Sequence, residues 1–200
     1  ASFECVITVT AQAAQHHNTA TANGSFEDGA GNTESTSDTD DAHYYGMQNL
    51  TVTKTASGTF DREYLWSIDK QVDNKYKTTI DQPVDFNYAV IVTQTGVKDS
   101  NWKASGLITI TNPNEVMDIT ASVTDVLPGA TCVVKQGSLT VTTVTVPKAT
   151  AEGAGSVTLS YACTFSAKPA DYTLTNTATI TWDKNAASTP DDTASGTKEF

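Results

Sequence analysis

Three segments of the sequence alternate between apolar and polar residues as half-buried β-strands do, and each carries one polar residue in its apolar row. These residues are Lys70, Asp125 and Asn176. A lysine, a carboxylic acid and a primary amide each cost free energy in an apolar interior unless their polar groups are paired. We therefore predict that the three side chains meet in the core of the fold.

Side chains of these three types can form a covalent bond with one another. Burial disfavours the charged forms of amines and carboxylic acids, which would leave the Lys70 amine neutral and nucleophilic and Asp125 protonated. The acid would polarise the Asn176 carbonyl while the amine attacks, so that ammonia leaves and an amide cross-link remains. Such a single-turnover reaction requires groups that are prepositioned in a water-poor core. The alternative is a buried ion pair with Asn176 as a hydrogen-bonding partner and no covalent bond.

The elements that must position these residues are β-strands. The chain is rich in Thr, Val, Ser and Ala and shows no long helical pattern, which favours an all-β class. Turn signals such as Asn112-Pro-Asn114 and Pro128-Gly129 recur at the spacing of an antiparallel β-sandwich. The predicted strands cover residues 3–10, 18–26, 49–55, 64–70, 84–93, 105–111, 119–127, 132–134, 138–146, 156–165 and 172–182.

The sequence also contains signs of an internal repeat. The same Asn-Thr-Ala-Thr sequence begins at Asn18 and at Asn176, and a cysteine stands 13 residues before each of them (18 − 5 and 176 − 163), at Cys5 and Cys163. Both pairs therefore share one offset of 158 residues (176 − 18 and 163 − 5). A fixed offset of this kind indicates copies of one structural unit.

We interpret residues 1–46 as the closing strands of a preceding copy with an acidic linker, and residues 47–200 as a complete sandwich domain. Within the first part, residues 24–41 are rich in Gly, Asn, Ser, Thr and Asp and are predicted to form a loop. A variant of this interpretation is that residues 1–46 act as a donor segment that completes the sheet of a neighbouring subunit by strand addition.

The charge of the chain excludes one large class of partners. The net charge is −11 and the isoelectric point is about 4.5, whereas phosphate contact needs clustered Lys and Arg, so we expect no nucleic-acid binding. No apolar run is long enough to span a bilayer, and we expect any signal peptide or anchor to lie outside this sequence. No nucleophile elbow, phosphate loop or metalloprotease motif occurs, so we expect no enzyme with turnover and no required cofactor.

The cysteines point to a cellular compartment. Cys132 and Cys163 lie in neighbouring strand patterns and are predicted to form a disulfide, which would place the protein in an oxidising environment. As the repeat equivalent of Cys163, Cys5 would have its partner in the preceding copy. The alternative is a cytosolic protein with three reduced, buried cysteines.

Four segments occur in the order Trp66-Ser-Ile-Asp-Lys-Gln-Val72, Tyr88-Ala-Val-Ile-Val-Thr93, Ser122-Val-Thr-Asp-Val-Leu-Pro-Gly129 and Leu174-Thr-Asn-Thr-Ala-Thr-Ile180. Together they resemble the tandem Ig-like repeats of bacterial and archaeal surface proteins, a domain family of unknown function. They are also similar to the collagen-adhesin type of Ig fold, in which Lys and Asn form an intramolecular isopeptide bond assisted by Asp. The resemblance implies an Ig-like antiparallel β-sandwich with these roles for Lys70, Asn176 and Asp125.

The resemblance also leaves a second lysine open. Leu50-Thr-Val-Thr-Lys-Thr55 resembles the opening strand of the same family, so Lys54 is an alternative to Lys70. Lys54 continues the apolar row of Leu50 and Val52, as a residue that points into the core would.

Two weaker signals concern surface residues. Asp38, Asp40 and Asp41 offer oxygen ligands for Ca²⁺ that would stiffen the linker, although the spacing of a dedicated calcium loop is missing and an acidic solvated linker is the alternative. Asn23 and Asn49 begin Asn-X-Ser/Thr sequences, the short acceptor pattern for N-glycosylation.

These observations predict an extracellular structural domain of a surface filament, stalk or adhesin shaft, located at the cell surface or in a secreted filament. Its partners would be neighbouring copies of itself, stacked head to tail, with an internal cross-link. The alternative is a ligand- or glycan-binding adhesin module, for which Tyr44, Tyr45 and Trp102 are the candidate exposed aromatics.

Overall fold

The computed structural model describes residue 4, residues 6–9 and residues 14–200. Within this part of the chain the regular structure is β-sheet apart from one short helix, α1 (Lys184–Ala187). The predicted all-β class is therefore confirmed. The strands are β1 (Ala14–Glu27), β2 (Thr33–Gly46), β3 (Thr51–Lys54), β4 (Ser57–Val72), β5 (Tyr88–Asn112), β6 (Ile119–Val126), β7 (Ala130–Gln136), β8 (Leu139–Thr140), β9 (Thr143–Val146), β10 (Gly155–Phe165), β11 (Thr175–Trp182) and β12 (Thr193–Glu199).

Two antiparallel sheets form the sandwich. One has the order β3-β5-β10-β7-β8, with β4 paired to the other part of β5, and the second has the order β12-β11-β6-β9. The register pairs Leu159 of β10 with Ile108 of β5, and Ile180 of β11 with Val123 of β6. The predicted antiparallel β-sandwich is thus confirmed.

Alternation along the strands explains why the two sheets pack together. In β6 the buried residues are Ile119, Ala121 and Val123, while the threonines and serine between them face solvent. Residues Asn176 to Trp182 of β11 alternate in the same way. Burying one large aliphatic side chain contributes roughly 1.5–3 kcal/mol, so the apolar rows that face each other between the two sheets stabilise the fold.

A glycine allows the two sheets to approach each other at one edge. Gly196 of β12 lies against β3, and a Cβ atom at this position would come within 2.9 Å of the Val52 carbonyl oxygen. Because any side chain would push the two strands apart, glycine at position 196 permits the close contact. The contact holds β3 against the sheet that contains β11.

The predicted disulfide between Cys132 and Cys163 is present and joins neighbouring strands β7 and β10, where the two residues face each other in register. It closes a loop with a sequence separation of 31 residues. A loop of this length contributes about 3.7 kcal/mol of stability in the chain-entropy model.

Two antiparallel ribbons extend from the packed part of the fold with both faces exposed. The first consists of β1 and β2, which pair only with each other among the described strands. The second consists of β4 and the first part of β5. We call them the N-terminal ribbon and the β4–β5 ribbon.

Several sequence-based expectations about the elements are wrong. Residues 24–27 and 33–41 belong to strands of the N-terminal ribbon instead of a loop. Segments of polar and small residues can pair as strands in a ribbon that packs on no core. In the predicted strand 3–10, the described residues 4 and 6–9 are not in a strand. Tyr172 lies outside β11 and is exposed. The segments 84–93 and 105–111 belong largely to one long strand, β5, and β12 was not predicted.

Candidate functional site

Three strands from both sheets bring a lysine, an acid and an amide together in the core. Lys54 ends β3 of the six-stranded sheet, whereas Asp125 on β6 and Asn176 on β11 belong to the four-stranded sheet. Each occupies the inward-facing row of its strand, next to apolar residues such as Val123 and Ala178. The site therefore lies between the sheets.

Asp125 connects the other two residues. One carboxylate oxygen accepts a hydrogen bond from the Lys54 ammonium group, and the other accepts one from Asn176 Nδ2 at 3.2 Å. The side chains of Lys54 and Asp125 are both 0% exposed, and Asn176 is fully buried as well. A buried ion pair of this kind is costly unless its remaining hydrogen-bonding capacity is used.

An aromatic ring covers the lysine. Lys54 Nζ lies 3.3 Å from the centroid of the Tyr161 ring, a cation–π contact. The Tyr161 hydroxyl donates to the Thr55 carbonyl oxygen at 2.8 Å, which fixes the backbone directly after Lys54. Gly106 faces the same carbonyl, and a Cβ atom there would overlap it. Tyr161 and Gly106 were missed from the sequence, although Tyr161 shares an alternating row with Leu159 and Cys163.

The disulfide forms one wall of the site. Cys163 Sγ lies 3.7 Å from Asn176 Nδ2 and 3.5 Å from an Asp125 carboxylate oxygen. Cys132, Cys163 and Asp125 place one ligand atom each within 4.8 Å of one another. Because both sulfurs are bonded in the disulfide, neither supplies a thiolate for a metal ion. In this oxidised state the cluster is a wall of the site and not a metal centre.

Burial changes the acid–base properties of the site. It lowers the pKa of the Lys54 amine below its usual value of 10.5, and the hydrogen bond and charge of Asp125 offset only part of this shift. The pKa of Tyr161 is raised, mainly by burial and secondly by the charge of Asp125. The lowered pKa makes the neutral, nucleophilic form of Lys54 easier to reach than that of a surface lysine.

One polar atom in the site remains without a hydrogen-bond partner. Asn176 Oδ1 is buried and, among the described residues, finds no donor. Buried acceptors without a donor are rare in folded proteins and often mark functional positions. Rotation of the amide would bring Oδ1 next to Asp125, where it could accept a hydrogen bond once the carboxyl group carries a proton. The arrangement thus suits a reaction in which a proton moves through Asp125.

Lys70, the first candidate for the reactive amine, is not in this site. It lies on β4, in the β4–β5 ribbon, where its side chain is exposed and Nζ is 4.2 Å from the centroid of the Tyr88 ring. The prediction that Lys70 is buried is wrong, because alternation with a period of two identifies the two faces of a strand but not the layer that covers one of them. The alternative lysine, Lys54, is the one that contacts Asp125.

The surface residues singled out from the sequence lie apart from one another. Asp38 and Asp40 face one side of β2 and Asp41 the other, since adjacent residues of a strand alternate. Calcium binding at these residues stays a prediction, for which the strand geometry is unfavourable. Asn23, a predicted N-glycosylation acceptor, is exposed on β1, and its glycosylation stays a prediction.

The Asn49 side chain is held by Asp191. Its Nδ2 donates to the Asp191 carboxylate at 2.6 Å, and its Oδ1 accepts from the Asp191 backbone at 2.9 Å. Glycosylation of Asn49 stays a prediction. Cys5 lies outside the described residues.

A second candidate site is an aromatic groove at the base of the β4–β5 ribbon. Its volume is about 460 Å³, and its walls include the stacked rings of Phe60 and Trp102, whose centroids are 4.5 Å apart. Tyr172 and Lys168 lie on the rim, with a hydrogen bond of 3.0 Å between Lys168 Nζ and the Tyr172 hydroxyl. Of the three aromatics that the sequence suggests for a binding site, Tyr44, Tyr45 and Trp102, only Trp102 lines this groove.

Comparison of the chain with protein-family models, curated proteins and solved structures gave no match. No helix among the described residues has the length and apolar character that crossing a membrane requires.

Replacing Asp125 by leucine should expose the dependence of Lys54 on this acid. The comparison is made in an Asn176→Ala background, in which Lys54 cannot form a bond to residue 176. There Asp125→Leu leaves a buried amine without its counter-ion and should lower the free energy of unfolding by about 3–5 kcal/mol. Adding Lys54→Met removes both charges and should recover most of that loss, as measured by chemical denaturation. Equal stability of the single and double variants would show that the two residues are not coupled.

Proposed function

We propose that this protein is an extracellular structural domain of a surface filament, stalk or shaft, and that Lys54 and Asn176 form an intramolecular isopeptide bond in its core. The observation that carries the proposal is the shared carboxylate, since Lys54 and Asn176 are hydrogen-bonded to the two oxygens of buried Asp125. This arrangement holds amine and amide side by side in a site without solvent access.

The reaction would use only groups of this chain. The Lys54 ammonium group passes a proton to Asp125, and the neutral amine attacks the Asn176 Cγ carbon. Asp125 donates a proton to the carbonyl oxygen as the tetrahedral intermediate forms, and protons return to the amide nitrogen as the C–N bond breaks. An ammonium group and a carboxamide become one secondary amide and one ammonium ion, so atoms and charge balance. No turnover follows, because the product remains part of the chain.

The bond would connect the two sheets of the sandwich. Lys54 ends the first strand of the six-stranded sheet, and Asn176 lies on β11 of the four-stranded sheet. Force that enters before residue 54 and leaves after residue 176 would then load a covalent bond instead of a hydrogen-bonded ladder. The Cys132–Cys163 disulfide lies inside the loop closed by this bond and would be shielded from the same force.

Three properties of the chain support the extracellular location. The disulfide is typical of oxidising compartments. The surface is acidic, with a net charge of −11. The sequence resembles the Ig-like repeats of bacterial and archaeal surface proteins, although the lysine that fits the site is Lys54.

A ligand-binding module is the second candidate function. The aromatic groove around Phe60 and Trp102 has the size and apolar lining of many small-molecule sites. A glycan array is a direct test, because a stack of aromatic rings would bind sugars through their faces. Binding that is lost in Trp102→Ala would favour the module, and an array without hits would leave the structural function ahead.

The intact mass of the protein tests the isopeptide bond. After reduction of the disulfide, the mass should be lower than the sequence mass by one ammonia. Both Asn176→Ala and Lys54→Arg should remove this deficit, because each variant lacks one of the reacting groups. Lys70→Arg is the matched control and should retain it; a deficit lost in Lys70→Arg and kept in Lys54→Arg would contradict the assignment.

The rate of bond formation should fall at high pH. The reaction needs the one proton that Lys54 and Asp125 share, because Asp125 receives it from the amine and passes it to the Asn176 carbonyl oxygen. Burial lowers the pKa of Lys54 from 10.5, so the pair should lose this proton, and the rate should fall, with a midpoint below 10.5. Protein from inclusion bodies would be refolded by dilution at set pH values up to about pH 9.5, where most tyrosine side chains are still neutral. Loss of ammonia is then followed by mass spectrometry after quenching in denaturant. A rate that rises with pH throughout this range would argue against proton transfer through Asp125.

A further inference from the structure

The β4–β5 ribbon has one apolar face that no other element of the described chain covers. Even-numbered residues of β4 share this face with their partners on β5, and the register pairs Ile68 with Val92 and Lys70 with Val90. The opposite face carries Ser67, Asp69 and other mainly polar residues. We call the first one the apolar face.

Exposure of this face is large. Trp66 is 59% exposed, Ile68 71% and Val92 56%. Large apolar side chains gathered on one face of a ribbon, with mainly polar residues on the other, mark an interaction surface. An isolated two-stranded ribbon is at best marginally stable in water, so a partner on the apolar face would also stabilise the ribbon itself.

The N-terminal ribbon also has a face that no other sheet covers. In β11, the sequence equivalent of β1, the same face is buried against the second sheet. With the offset of 158 residues, Asn18 and Ala20 of β1 correspond to Asn176 and Ala178 of β11. Asn176 and Ala178 are fully buried between the sheets, whereas Asn18 and Ala20 are exposed. The face of β1 that carries Asn18, Ala20 and Ala22 is therefore the one expected to pack against another sheet.

The side chains on the two faces are complementary in size and in charge. The face of the N-terminal ribbon carries the small residues Ala20 and Ala22, and opposite them on β2 stand Asp40 and Asp38. The apolar face of the β4–β5 ribbon carries large side chains and the cation Lys70. Small residues opposite large ones allow close packing, and Asp38 and Asp40 would lie near an otherwise exposed lysine.

We propose that the N-terminal ribbon of one copy of this chain packs on the apolar face of the β4–β5 ribbon of a second copy. The two surfaces are different parts of the chain, so the contact is heterologous and each added copy leaves one free surface at either end. Copies joined in this way form an open filament. The proposal rests on the proposed structural function, to which it adds the contact surfaces between copies.

Two blocked variants test the contact. Trp66→Asp/Ile68→Asp blocks the apolar face, and Ala20→Arg/Ala22→Arg blocks the N-terminal ribbon. Sedimentation velocity is measured at protein concentrations up to about 100 µM, because contacts of small area are weak. The unmodified protein should form a series of oligomers whose size increases with concentration. Each blocked variant alone should associate at least about tenfold more weakly. An equimolar mixture of the two should form dimers but no larger oligomers. The only contact left is between the N-terminal ribbon of one variant and the apolar face of the other.

Ser67→Asp/Gln71→Asp changes the opposite face of the same ribbon and should associate like the unmodified protein. A monomeric unmodified protein, or a mixture of blocked variants that stays monomeric while the unmodified protein associates, would overturn the proposal. Loss of ammonia, measured on the same samples, reports separately on the core of each variant. Association without ammonia loss would contradict the isopeptide bond alone, and ammonia loss without association would contradict the contact alone.

Discussion

The hydrogen bonds of one buried carboxylate hold the candidate site together. Asp125 accepts from Lys54, which comes from one sheet, and from Asn176, which comes from the other. The sandwich must therefore bring β3, β6 and β11 into one register before the three groups can meet. Once they have met, the same geometry that satisfies a costly buried charge also places an amine beside an amide, so the stability of the site and the proposed reaction would have one cause.

Residues around the carboxylate limit its freedom. Tyr161 covers the Lys54 ammonium group and holds the backbone after it, Gly106 leaves room for that backbone, and the Cys163 sulfur closes the side next to Asn176. These neighbours exclude water and keep the pKa of Lys54 low. A disulfide and an isopeptide bond in the same core would give the unit two covalent ties, of which only the second connects the two sheets.

Alternation in the sequence predicted the strands that contain Asp125 and Asn176, the inward direction of both residues, and the Cys132–Cys163 disulfide. It could not distinguish Lys54 from Lys70, because a strand of an exposed ribbon and a strand of a sandwich alternate with the same period. Tyr161 was missed because an aromatic residue in an apolar row gives no sign of the cation that it covers. The sequence predicts a loop for part of the N-terminal ribbon, since its polar residues lack the apolar row on which strand prediction depends.

The identity of the bonded residues tests the central claim most directly. After proteolysis under reducing conditions, tandem mass spectrometry should find one branched peptide in which the Lys54 side chain is joined to the Asn176 side chain with loss of ammonia. Recovery of both residues in separate, linear peptides would contradict the cross-link. A branch at Lys70 instead would contradict the site described above.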